Sequence, residues 1–148
     1  MDALVRRLAR ELGVRVIYDP DYLDTGSGGA GEDEEGDPFI ILARTPKSEI
    51  PGLTALHELG HHATRWGPQG GDNWTNKRRI DMEVAAWEWA LDHTPQPLTE
   101  DGLRYILEAL GAYVLARRYR VTRRATNFYL ELQQQLLNLD TNGGYTCE

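Results

Sequence analysis

The pentapeptide His57-Glu58-Leu59-Gly60-His61 constrains this chain more than any other segment. In a helix, residues four apart lie about 40° from one another around the axis, on one face. Two imidazoles so placed can offer ring nitrogens to one Zn²⁺ at about 2.1 Å. Glu58 then projects from the neighbouring face, where it can take a proton from water without ligating the metal. Chance produces H-E-x-x-H in roughly 1 in 300 chains of this length. A solvated surface helix is therefore the weaker reading. Ser48 as a cap and Leu53, Leu56 and Leu59 as apolar positions support a helix running to about Trp66. Gly60 runs against this, since glycine inside a helix costs about 1 kcal/mol relative to alanine. Either another segment comes close there or the imperfection is tolerated, and the sequence leaves both open.

An open catalytic zinc site usually has three protein ligands. His62 follows His61 directly and points about 100° away on the same helix. His93 and the carboxylates of the next helix, Asp81, Glu83 and Glu88, are the other candidates. Glu83 is preferred. With Ala86, Trp87 and Ala90 it follows i, i+3, i+4, i+7 spacing on an otherwise apolar, core-facing stripe. A carboxylate there is costly unless paired or metal-bound.

Composition limits the alternatives. The single cysteine, Cys147, excludes an intrachain disulfide and a cysteine-based zinc site. The 148 residues suit one domain, read as 1–148, with a metal-binding core over 1–92 and C-terminal helices over 99–139. No apolar run reaches the ~20 residues of a membrane span, and the start lacks a signal-peptide core. A cytoplasmic location is therefore expected. A net charge of −7 argues against sequence-independent nucleic-acid binding.

The expected fold class is α+β, with a small N-terminal β-sheet and a mainly helical, zincin-like remainder. Leu4, Val5, Leu8 and Leu12 predict a helix over residues 3–12, capped by Asp2 and stopped by Gly13. Residues 14–18 and 39–43 read as strands. Residues 24–38 are rich in Gly, Asp and Glu and read as a mobile surface loop. The EF-hand spacing of a Ca²⁺ site is absent. If residues 26–37 lay at a cleft mouth, they would favour basic substrates. Gly67 to Asn73 reads as a loop. Further helices are expected from about Asn76 to Asp92, from Thr99 to about Tyr119, and from Thr122 to about Leu139, followed by a frayed tail.

Several C-terminal residues carry two readings. Arg117, Arg118, Arg120, Arg123 and Arg124 form either a solvated helix end or a docking patch. Leu130, Leu132, Leu136, Leu137 and Leu139 read as core, with a dimer seam as the alternative; the oligomeric state is not set by the sequence. A donor to a developing oxyanion is also needed. His62, His93, Tyr105 and Tyr113 are candidates, with packing the stronger reading for the two tyrosines.

The string His57-Glu58-Leu59-Gly60-His61-His62, followed by Glu83-x-x-Ala86-x-x-Trp89-Ala90, resembles the ImmA/IrrE metallopeptidases. That family shows H-E-x-G-H on one helix and E-x-x-A-x-x-F-A on the next; Trp89 stands at the usual Phe. The resemblance covers residues 1–92. It departs at Ala90-Leu91-Asp92-His93-Thr94-Pro95, where the family commonly ends in Leu-Leu-Met-Pro. It implies Zn²⁺ held by His57, His61 and Glu83, with Glu58 as catalytic base. It also implies a cytoplasmic bacterial or phage setting, often beside mobile elements, and a protein substrate such as a DNA-binding repressor. The expected function is thus a zinc endopeptidase (a hydrolase) acting on a protein or peptide. The alternative is a non-catalytic, zinc-stabilised module that sequesters a regulator. Glu58 favours the enzyme, because a purely structural site is usually closed by four protein ligands and needs no base.

Overall fold

In the computed structural model, the described residues are 1–22, 28–64, 76–95, 97–114 and 121–142. They form an α+β fold in which helices predominate. Helix α1 spans Asp2–Leu12 and buries Val5, Leu8 and Ala9. Met1 is its N-cap, and Asp2 sits in the first turn, where its carboxylate accepts from Arg6 at 3.1 Å. Gly13 ends the helix at φ 69°, a left-handed conformation that glycine adopts without steric cost.

Strand β1, Arg15–Tyr18, runs parallel to β3, Pro38–Leu42. Strand β2, Gly28–Glu32, pairs antiparallel on the other side of β3, so the sheet order is β1-β3-β2. The sequence predicted a loop across residues 24–38, and β2 corrects that reading. Gly-Gly-Ala-Gly-Glu has neither β-propensity nor apolar alternation. Its strand character is imposed by neighbours that fill the space its own side chains would take. A Cβ on Gly31 would meet the Phe39 ring at 3.0 Å, and one on Gly29 the Tyr22 hydroxyl at 2.5 Å. Gly31 and Phe39 are register partners, so the aromatic covers the glycine across the strands. Asp33 then organises the turn into β3. Its carboxylate accepts from the Glu35 and Asp37 amides and from Arg15. The Asp37 amide chiefly holds it below the usual carboxylate range.

Helix α2, Glu49–Ala63, begins at Ser48 and carries Leu53, Leu56 and Leu59 fully buried. Ser48 makes no side-chain cap bond. Thr64 closes the helix, its amide and hydroxyl both donating to the Gly60 carbonyl. Helix α3 is Asn76–His93, α4 is Glu100–Val114 and α5 is Arg123–Asn142. Thr99 and Thr122 cap α4 and α5, accepting the Gly102 and Ala125 amides at 3.2 and 3.1 Å. Glu49 joins the starts of α2 and α4 by accepting from the Thr99 amide and hydroxyl. The stretch 65–75 and the cluster residues Arg117, Arg118 and Arg120 lie outside the described residues, as does the tail from 143 onward.

One apolar core takes residues from all five of these helices and from β3, from Val5 to Leu132. Helix α5 enters it through Ala125, Phe128 and Leu132, at i, i+3, i+7. The expected leucine core is corrected here. Leu132 is buried and Leu136 packs at the margin, but Leu130, Leu137 and Leu139 are 54%, 57% and 40% exposed. Leucines stand on both sides of the helix, and only the side bearing Ala125 and Phe128 meets α3 and α4. No helix among the described residues is long and apolar enough to cross a membrane.

Candidate metal centre

Helices α2 and α3 pack together closely, and the contact turns on Gly60. A Cβ at that position would lie 2.5 Å from the Ala86 carbonyl oxygen and 3.0 Å from the Ala86 Cα. Gly60 is therefore a site of backbone approach rather than a tolerated imperfection. It lies one turn after His57 and next to His61, while Ala86 lies one turn after Glu83. The glycine thus lets α3 come near enough to set its carboxylate against both histidines.

His57 Nε2 and His61 Nε2 are 3.1 Å apart. Glu83 Oε2 lies 3.2 Å from the first and 3.7 Å from the second. A tetrahedral zinc ion with bonds near 2.0–2.1 Å holds its ligand atoms roughly 3.3 Å apart. The three separations bracket that value, and the three residues could hold a metal ion. The donor set also suits a divalent cation. Burial, aided by the neighbouring His57, pushes His61 down to about 4, so its imidazole is neutral at physiological pH. Burial pushes Glu83 up, but the hydrogen bond from His57, together with the neighbouring imidazoles and the Arg79 guanidinium, outweighs it. The carboxyl ends below its ordinary value and is ionised.

The His57 ring stacks on Trp87 at 4.1 Å and 24°. With Nε2 turned to the cluster, its Nδ1 is buried and has no hydrogen-bond partner among the described residues. Metal-bound histidines usually have their second nitrogen oriented by a hydrogen bond. Here a flat aromatic face fixes the ring plane instead. Trp87 was expected on the Glu83 stripe, but its part in holding His57 was not readable from spacing alone.

The remaining candidates are distributed elsewhere. Glu58 is buried and lies under β2: a Cβ on Gly28 would meet its Cγ at 3.2 Å and Oε1 at 3.4 Å. His62 Nε2 is bonded to the Phe39 carbonyl at 2.9 Å, which ties α2 to β3. His93 stacks on Trp89 and bonds the Trp89 carbonyl through Nδ1. It lies ten residues beyond Glu83, about 15 Å along α3. Asp81 accepts from the Thr122 hydroxyl and Glu88 pairs with Arg124, so both serve the α3–α5 contact. Tyr105 does lie beside Glu58's face of α2, its hydroxyl 2.7 Å from Thr54 Oγ1. Thr54 was not singled out, although it stands one turn before Glu58. The acidic turn after Glu32 is four residues, about 13 Å, along β2 from Gly28. Comparison with protein-family models, with curated proteins and with solved structures finds no match to this chain.

Proposed function

We propose that this protein is a zinc-dependent metallopeptidase that hydrolyses a peptide bond in a protein substrate. His57, His61 and Glu83 hold the metal, and Glu58 is the general base. The observation that carries this is the convergence of two imidazole nitrogens and a carboxylate oxygen at tetrahedral separations, next to a buried glutamate with an edge strand over it. Bound zinc would polarise the peptide carbonyl and acidify water. Glu58 takes the proton as the water oxygen adds to the carbonyl carbon, then passes it to the departing nitrogen as the C–N bond breaks. Among the described residues strand β2 pairs with β3 along one edge, and the proposed substrate adds as an extended peptide along the other. The resemblance to ImmA/IrrE proteins extends the proposal to a DNA-binding regulator as substrate.

The test is elemental analysis of the untagged protein, then mass spectrometry of candidate regulators incubated with it. About one zinc per chain and a defined cleavage are expected. Glu58→Gln should keep the metal and lose cleavage by about 10²–10⁴-fold. A parent protein that neither contains nor takes up zinc would sink the proposal. Equal cleavage by parent and Glu58→Gln would remove Glu58 as the base.

A further inference from the structure

The Glu58 side of α2 carries a second polar group whose position the metal centre does not explain. Thr54 and Glu58 are four apart and share one face of the helix. Gly28 of β2 lies over both: a Cβ there would meet Thr54 Cγ2 at 2.7 Å and Glu58 Cγ at 3.2 Å. From α4, Tyr105 brings its hydroxyl to Thr54 Oγ1 at 2.7 Å. Thr54 also lies 3.0 Å from the Ile50 carbonyl, which takes its only hydroxyl proton. Tyr105 is therefore the donor in the Thr54 pair. Trp87 connects the two sides, stacked on His57 and edge-on to Tyr105 at 6.1 Å.

We propose that Tyr105 turns its hydroxyl from Thr54 to the carbonyl oxygen of the scissile peptide and stabilises the oxyanion formed there. This rests on the peptidase reading above. As water adds, the carbonyl π pair moves onto oxygen, and Glu58 carries the water's proton to the leaving nitrogen. Tyr105 neither gains nor loses a proton; it exchanges a neutral hydrogen bond for a charge-assisted one. Burial, opposed by the Thr54 bond and reinforced by the Glu58 charge, raises the phenol above its ordinary range, so it stays protonated. The other candidates are placed less well. His62 is bonded to Phe39, His93 lies at the far end of α3, and Tyr113 is eight residues, about 12 Å, further along α4.

The experiment uses the full chain loaded with Co²⁺, with Tyr105→Phe and Thr54→Val beside the parent. Three quantities are measured: Co²⁺ uptake, affinity for a capped phosphonamidate dipeptide read by Co²⁺ absorption, and kcat and KM on a fluorogenic peptide that the parent cleaves. Tyr105→Phe should take up Co²⁺ like the parent and bind the tetrahedral phosphonamidate at least about tenfold more weakly. Its kcat should fall roughly 10²–10³-fold, with KM within about threefold. Thr54→Val, which removes the resting partner but keeps the phenol, should lose less than about tenfold in each. Parental phosphonamidate affinity and kcat in Tyr105→Phe would overturn the proposal. So would equal losses in the two variants, or loss of Co²⁺ uptake in Tyr105→Phe, since either marks a packing role. A parent that binds neither Co²⁺ nor the phosphonamidate would instead remove the peptidase reading on which the proposal rests.

Discussion

The two sides of α2 are built differently. Toward α3 it offers His57, Gly60 and His61, and the contact is backbone against backbone at Gly60 and Ala86. Toward β2 and α4 it offers Thr54 and Glu58, and the neighbours are a bare glycine and a tyrosine hydroxyl. The first side has no slack, because a rigid helix backbone cannot step aside for one added carbon. On the second side the crowding atoms belong to side chains, and the longer of the two, Glu58, can rotate. Such a division is what the proposed function requires, a ligand set that holds its separations beside a face that admits a substrate.

The largest effect should follow from disturbing the rigid side. Gly60→Ala gains about 1 kcal/mol in helix propensity but must push the Ala86 backbone away. We expect a net loss of about 2–3 kcal/mol and a metal affinity at least roughly a hundredfold weaker, because Glu83 moves with Ala86. Zinc titration and thermal melts of parent and variant check this. Parental zinc affinity would mean that the close approach does not set the ligand separations.

A smaller effect tests the charge state of the same side. In the metal-free protein His61 titrates near 4 when folded and near 6.5 when unfolded. Between those values the unfolded chain binds more protons, so stability falls as pH drops from about 6.5 to about 4. Glu83, also depressed, adds to the loss at the acid end of that window. Together they should remove about 2 kcal/mol, allowing for solvent screening of partly exposed groups. Urea melts of the chelator-treated protein across this range measure it. A flat profile would mean that His61 is not held neutral by burial.

The smallest effect belongs to the compliant side. In Gly28→Ala the new methyl crowds the Thr54 methyl and the Glu58 stem, side-chain atoms rather than helix backbone. Stability should fall by about 1 kcal/mol and turnover by about tenfold, with metal content unchanged. Loss of metal in this variant would show that the two sides are not independent.

The three proposed ligand residues were legible because each obeys a local rule. His57 and His61 follow helical spacing, and Glu83 is a carboxylate on an apolar stripe. The helix stop at Gly13 and the helix starts at Thr99 and Thr122 were readable for the same reason, since caps are short-range chemistry. Strand β2 was not legible, because nothing in its own residues favours extension. The exposed Leu130, Leu137 and Leu139 were misjudged because hydrophobicity marks what can be buried, whereas burial depends on which neighbours arrive.

By itself, then, the sequence determined the helices, the caps at Gly13, Thr99 and Thr122, two of the three strands, and which three residues come together as a group that could hold a metal ion. All follow from interactions within a few residues of chain. The tertiary structure alone decided that Gly60 is a contact with Ala86, that Gly28–Glu32 is a strand, that Trp87 holds His57, and that Tyr105 of α4 meets Thr54, one turn from Glu58 on α2. Each depends on atoms far apart in sequence filling or leaving one space. A residue's own chemistry says what it can tolerate there, but only the packed chain says what it meets.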